Sequence, residues 1–207
     1  VVNKKDDNQT EKAILEAADK VFTQKGFAAA RMEDIAQEAG INRALLHYYF
    51  RSKDKMFDLI FQQRVSIFFS GLGQIMHSEK PLIEKIQAIV EHEITILLAH
   101  PYLPIFVLQE LNQNPHRMLA IAENAGAHPS LLLKKFSVEV RAEIKAGTIR
   151  ETDPAQLFMS IMGMAIYPFV ARPVVKIILE KDDVGFESVM LQRKKEITDF
   201  IIHALKP

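Results

Sequence analysis

Arg43, His47 and Tyr48 place a guanidinium, an imidazole and a phenol on one short stretch of chain. These groups can meet a nucleic acid, since a guanidinium pairs with base edges or phosphates. Read as a helix, the stretch puts Arg43, Ala44, His47 and Tyr48 on one face. Leu46, Tyr49 and Phe50 form the inward stripe. Basic residues cluster here too. From Gly40 to Lys55, Arg43, Arg51, Lys53 and Lys55 stand against Asp54 alone; four bases against one acid leave +3.

The elements that must position these groups run from Met32 to Lys53, MEDIAQEAGINRALLHYYFRSK. Met32, Ile35, Ala36 and Ala39 repeat at i, i+3, i+4, i+7 and share a helical face. Gly40 follows, where a left-handed residue closes a helix at low cost. Asn42 then stands where an N-cap belongs, its side chain able to accept a free backbone N–H. A helix, a glycine turn and a second helix with a polar, aromatic outer face form a helix-turn-helix.

This segment resembles the N-terminal domain of the TetR/AcrR family of bacterial transcriptional regulators. The resemblance is carried by Gly26-Phe27, Asp34-Ile35-Ala36, Ala39-Gly40-Ile41, Leu46, Tyr48-Tyr49-Phe50 and Ser52-Lys53. A weaker echo lies in Gly147-Thr148-Ile149-Arg150 followed by Asp153-Pro154. It implies an all-α chain with a three-helix DNA-binding domain over residues 1–55, including an N-terminal tail. A larger helical ligand-binding and dimerisation domain follows over 56–207. It further implies that Arg43, Ala44, Leu45, His47 and Tyr48 face bases or the groove wall, that Tyr49 and Lys53 face phosphates, and that Asn42 belongs to the DNA-binding set with them. Two positions depart from the family. Arg31 stands near a capping Thr or Ser and cannot cap in that way, although it can reach a phosphate as a cation. Leu45 replaces a small or hydroxylic residue and could meet a thymine methyl.

The bulk numbers are compatible with this. The chain has 207 residues, nearly half of them apolar, enough to bury a substantial core. It has no cysteine, which excludes disulfides and thiolate metal sites and permits a reducing cytoplasm. Its net charge is zero, so any DNA contact must be local. Val1 to Thr10 is polar, lacks the apolar run of a signal peptide, and reads as a loose tail with Thr10 capping the first helix.

The remaining pattern is helical. A long helix is expected from about Lys53 to Ser78, capped by Ser52, with Gly71 and Gly73 marking a kink or stop. Later helices are expected over 82–99, from Pro101 and Pro104, from Asn114-Pro115 to about 125, over 129–146, over 154–171 and over 187–205. The stretch 154–171 has no charge and is apolar around much of its circumference. A membrane span is the weaker reading, because Gln156, Ser160 and Pro168 interrupt it. A helix buried on one side by its own domain and on the other by a partner fits better. The family's dimer interface uses its last two helices. Here that implies Met159, Gly163, Ile166, Ile197, Phe200 and Ile201. The family pocket implies an apolar ligand site with Phe106, Met118, Phe136 and Met162, and with Tyr167 or Gln109 as polar anchors.

Enzyme chemistry finds little support. The histidines are scattered, and His92-Glu93 begins a zinc-protease motif that lacks its second histidine. Glu110, Glu123, His100 and His128 are the remaining suggestive groups. No catalytic residue, metal or cofactor is expected. The expected partners are double-stranded operator DNA, a small-molecule effector and a second copy of the chain, in the cytoplasm and away from the membrane. The rival reading is a helical protein-interaction module without DNA affinity.

Overall fold

Every regular element among the described residues is helical. A computed structural model describes 4–101, 103–113 and 115–207, with side chains for all of these but 4–6, 106 and 109–111. In chain order the helices are α1 (Lys4–Lys25), α2 (Met32–Glu38), α3 (Arg43–Tyr49) and α4 (Lys53–His77). They continue as α5 (Leu82–Ala99), α6 (Leu103–Gln113), α7 (Pro115–Asn124) and α8 (Pro129–Ala146). The last are α9 (Pro154–Val170), α10 (Arg172–Ile178) and α11 (Asp183–Leu205). The chain divides into two compact units, Val1–Arg64 and Val65–Pro207.

In the first unit, Ile14, Ala18 and Phe22 of α1, Ile35 of α2 and Leu46 of α3 are fully buried. The unit reaches Arg64, beyond the boundary expected at residue 55. Phe57 of α4 explains this, because its ring meets Phe27 at 4.8 Å and Phe22 at 5.7 Å. α1 starts earlier than expected. Lys4 to Thr10 is helical, so Thr10 lies inside α1 and does not cap it. Part of this extra length is held in place, since the Asp7 carboxylate accepts a bond from Tyr49.

The second unit is built around α5, which packs against α8, α9 and α11. Ile86, Val90 and Ile94 of α5 lie in its core with Ile161, Ala165 and Phe169 of α9 and Ile197 and Ile201 of α11. α4 does not stop at its glycines but runs through to His77. Gly71 is required there. A Cβ would come within 2.2 Å of the His92 ring, whose Nε2 bonds the Phe68 carbonyl at 2.9 Å. Pro168 inside α9 also has a specific remedy. It lacks the N–H that the Met164 carbonyl would receive. Arg193 Nε of α11 donates to that carbonyl at 3.1 Å.

α10 is a helix that the sequence pattern does not predict. It leaves α9 at a bend of 79°, and no single helix among the described residues is long and apolar enough to cross a membrane. α11 begins at Asp183, before the expected Glu187, because Asp182 caps it and accepts the Gly185 N–H at 2.8 Å.

Candidate nucleic-acid interface and interior cavity

The turn before α3 is locally determined. Gly40 adopts φ +68°, Ile41 N–H bonds the Ala36 carbonyl at 3.0 Å, and Gly40 N–H bonds that of Gln37 at 3.1 Å. These two bonds form a Schellman closure of α2. Asn42 then caps α3, its Oδ1 accepting the Leu45 N–H at 2.8 Å. At the start of α2, Arg31 is exposed and its side chain makes no cap. Asp34 compensates by accepting the Arg31 N–H at 3.0 Å. The bond from Lys25 at 2.8 Å, then that from Arg31, holds the Asp34 carboxyl below its ordinary pKa. A negative charge is thereby kept in the first turn of α2, where the helix dipole favours it.

α3 turns Leu46 fully inward and presents Arg43, Ala44, Leu45 and Tyr48 to solvent. Tyr48 is 76% exposed, its ring edge-on to Tyr49. His47 is half-buried. Arg43 pairs with Glu33 of α2 at 2.7 Å, and its Nε points at His47 Nε2 at 3.4 Å. An exposed pair of this kind holds weakly. A base edge or phosphate can therefore take the guanidinium from Glu33.

The two residues expected to face phosphates have partners within the chain. Tyr49 is half-buried, and its hydroxyl donates to Asp7 at 2.7 Å. That bond, with burial, pushes the phenol pKa up. Lys53 Nζ donates to the carbonyls of Phe27, Ala28 and Ala30 at 2.8, 3.3 and 3.1 Å. It also sits 4.6 Å from the Phe27 ring centroid. A phosphate contact through either residue must displace these bonds. Lys53 thus ties the loop between α1 and α2, a role hidden from sequence because its partners lie more than twenty residues away. Lys53→Met is expected to destabilise the first unit by roughly 1–2 kcal/mol, whereas exposed Arg43→Ala stays within about 0.5 kcal/mol. Urea unfolding followed by circular dichroism distinguishes them. Equal losses would contradict the tie.

The second unit encloses a cavity of about 580 Å³. Phe68 and Phe69 of α4, Ile89 and Ile96 of α5, and Val107 of α6 contribute to its wall. So do Met118 of α7, Phe136 of α8, and Met162 and Ile166 of α9. Met118, Phe136 and Met162, expected in a ligand site, all lie on this wall. Side chains 106 and 109, expected beside them, lie outside the described residues. Tyr167 is corrected. It is 64% exposed and off the wall, because α9 turns Met162 and Ile166 to the cavity and Tyr167 away from it.

The expected dimer residues also separate. Met159, Gly163 and Phe200 are exposed. Ile197 and Ile201 are corrected, since α11 turns them into their own core. Ile166 is half-buried and on the cavity wall. Sequence reasoning sees Glu93 only as part of an incomplete zinc motif and misses its burial. It is fully buried on α5, and burial pushes its pKa up to about 8. Its central place among Ile86, Ile89, Val90 and Leu97 was the available signal.

Residues 14–60 match the profile of the bacterial regulatory proteins of the tetR family. Over 200 residues the chain is 27% identical to the HTH-type transcriptional regulator RutR of Escherichia coli O157:H7, covering 95% of this chain and 90% of the relative. It is 28% identical over 153 residues to the uncharacterized HTH-type transcriptional regulator YhgD of Bacillus subtilis strain 168, covering 69% and 73%. In fold it is similar to the TetR family transcriptional regulator PfmR of Thermus thermophilus. That likeness has a TM-score of 0.64 and 20% identity, and it covers 94% of this chain and 99% of that one.

Proposed function

The chain is a TetR-family transcriptional regulator with an N-terminal helix-turn-helix, and from that premise we propose that it is a homodimeric repressor released from DNA by a small, mostly apolar ligand. The observation that carries the ligand reading is the cavity of about 580 Å³, walled by aromatic, aliphatic and methionine side chains. Such walls suit apolar ligands of irregular shape. In this reading the protein works in the cytoplasm. Arg43, Ala44, Leu45, His47 and Tyr48 enter a major groove, with Asn42 at the helix start. Arg31, and Tyr49 and Lys53 once released from their internal partners, serve the backbone.

Two heads on one duplex require a palindromic site with half-sites about 34–36 Å apart or a multiple of that. α9 and α11 supply the seam between copies through Met159, Gly163 and Phe200, which one chain leaves exposed. A ligand that binds better to the state whose heads fit DNA poorly lowers operator affinity by that difference. The test is fluorescence anisotropy on a duplex selected from a random pool. Decanol is expected to lower the protein's affinity for it, with Arg43→Ala losing about 1–3 kcal/mol of discrimination at one base position. Release by highly charged solutes alone would contradict the apolar ligand.

A further inference from the structure

Glu93 has no exposed surface, and both of its carboxylate oxygens are buried without a hydrogen-bond partner among the described residues. Buried polar groups are nearly always paired, so an orphaned carboxyl calls for an explanation. Basic groups on α5 and on α11, which packs against it, have other partners. Lys85, the other buried charge on α5, pairs with Glu139 at 2.7 Å. His92 bonds the Phe68 carbonyl, and Arg193 bonds that of Met164.

The place of Glu93 on α5 suggests where its partner comes from. Ile89, Ile96 and Leu97 are the α5 residues on the cavity wall. With about 3.6 residues per turn, Glu93 falls within the arc these three define, one turn after Ile89 and one before Leu97. Glu93 itself does not line the cavity, and the wall offers Ser130 as its one polar side chain among the described residues. Glutamate has three rotatable χ angles, and Met162 of the same wall carries an unbranched, adaptable side chain.

We propose that the ligand supplies the missing partner: an amine with an apolar body, its ammonium on the Glu93 carboxylate and its hydrocarbon in the cavity. The proposal rests on the cavity being the effector site. An ammonium brings three N–H donors and the opposite charge, which satisfies both oxygens. An alcohol brings one donor, and a carboxylate brings none and would itself be a charge buried without a cation. In the free protein burial keeps the proton on Glu93, with a pKa of about 8. Amine binding sends that proton to solvent and leaves an ion pair.

Isothermal titration calorimetry of the full chain with decylamine, decanol and decanoate tests this. Wild type is expected to bind decylamine roughly tenfold more tightly than decanol, with decanoate weakest. Calorimetry in two buffers of different ionisation enthalpy should show a proton released with the amine alone. Glu93→Gln should erase the amine's advantage and leave decanol binding unchanged. Decanol binding wild type as tightly as decylamine overturns the amine proposal and leaves the cavity reading standing. Failure of all three to bind overturns both. The comparison within wild type decides even if the variant does not fold.

Discussion

Gly163→Glu is expected to turn a dimer into a well-folded monomer and to reduce operator affinity by about 10²–10⁴-fold, the factor that tethering two heads contributes. The single chain has room for the change. Gly163 is exposed on α9, and a Cβ there meets no atom within 4 Å. Within a helix, replacing glycine also recovers roughly 0.5–1 kcal/mol of the entropy that glycine loses on folding. Any loss must therefore come from a second copy. In an apolar seam with Met159 and Phe200, a glutamate without a counterion costs several kcal/mol. Light scattering with an unchanged circular dichroism spectrum checks the assembly, and anisotropy checks the affinity. A variant that stays dimeric with full affinity would place the seam elsewhere.

The second large effect is in stability against pH. Glu93 is raised from 4.5 to about 8 by burial alone. Below 4.5 folded and unfolded chains both carry the proton, and its contribution is fully present. Between 4.5 and about 8 the unfolded chain ionises while the folded chain does not. Folding then weakens by about 1.4 kcal/mol per pH unit from this group. Above the folded pKa both states are ionised and the loss levels off. Glutamine does not titrate, so Glu93→Gln should gain on wild type across this window and gain no more beyond it. Urea unfolding of both proteins near the two ends of the window measures the gap. Parallel stability profiles would show that Glu93 is solvated or paired in the folded state.

What could be read from the sequence follows the range of the forces involved. The reading turn was legible because each bond in it is local. Gly40, Ile41 and Asn42 bond within five residues, and the side-chain types state the geometry. Helix stripes were legible for the same reason. The engagements of Tyr49 and Lys53 were not, since Asp7 and the carbonyls of Phe27 to Ala30 come close only after folding. α11 shows a second limit. Ile197, Phe200 and Ile201 are all apolar, yet the helix buries the isoleucines and exposes the phenylalanine. Apolar character alone does not say which apolar residue faces its own core and which a partner. Tyr167 failed similarly, as a plausible anchor on the wrong side of α9. Glu93 was read for its neighbour in a broken zinc motif, when its position in the α5 stripe mattered more.

Selection of duplex DNA from a random pool by the purified chain tests the central claim most directly. Wild type should enrich one inverted repeat with half-sites about one helical turn or a multiple apart. Tyr48→Ala and Arg43→Ala should weaken that enrichment, because both side chains lie on the exposed face of α3. A pool that stays random after repeated rounds, or enrichment unchanged when both residues are replaced, would contradict DNA reading by α3.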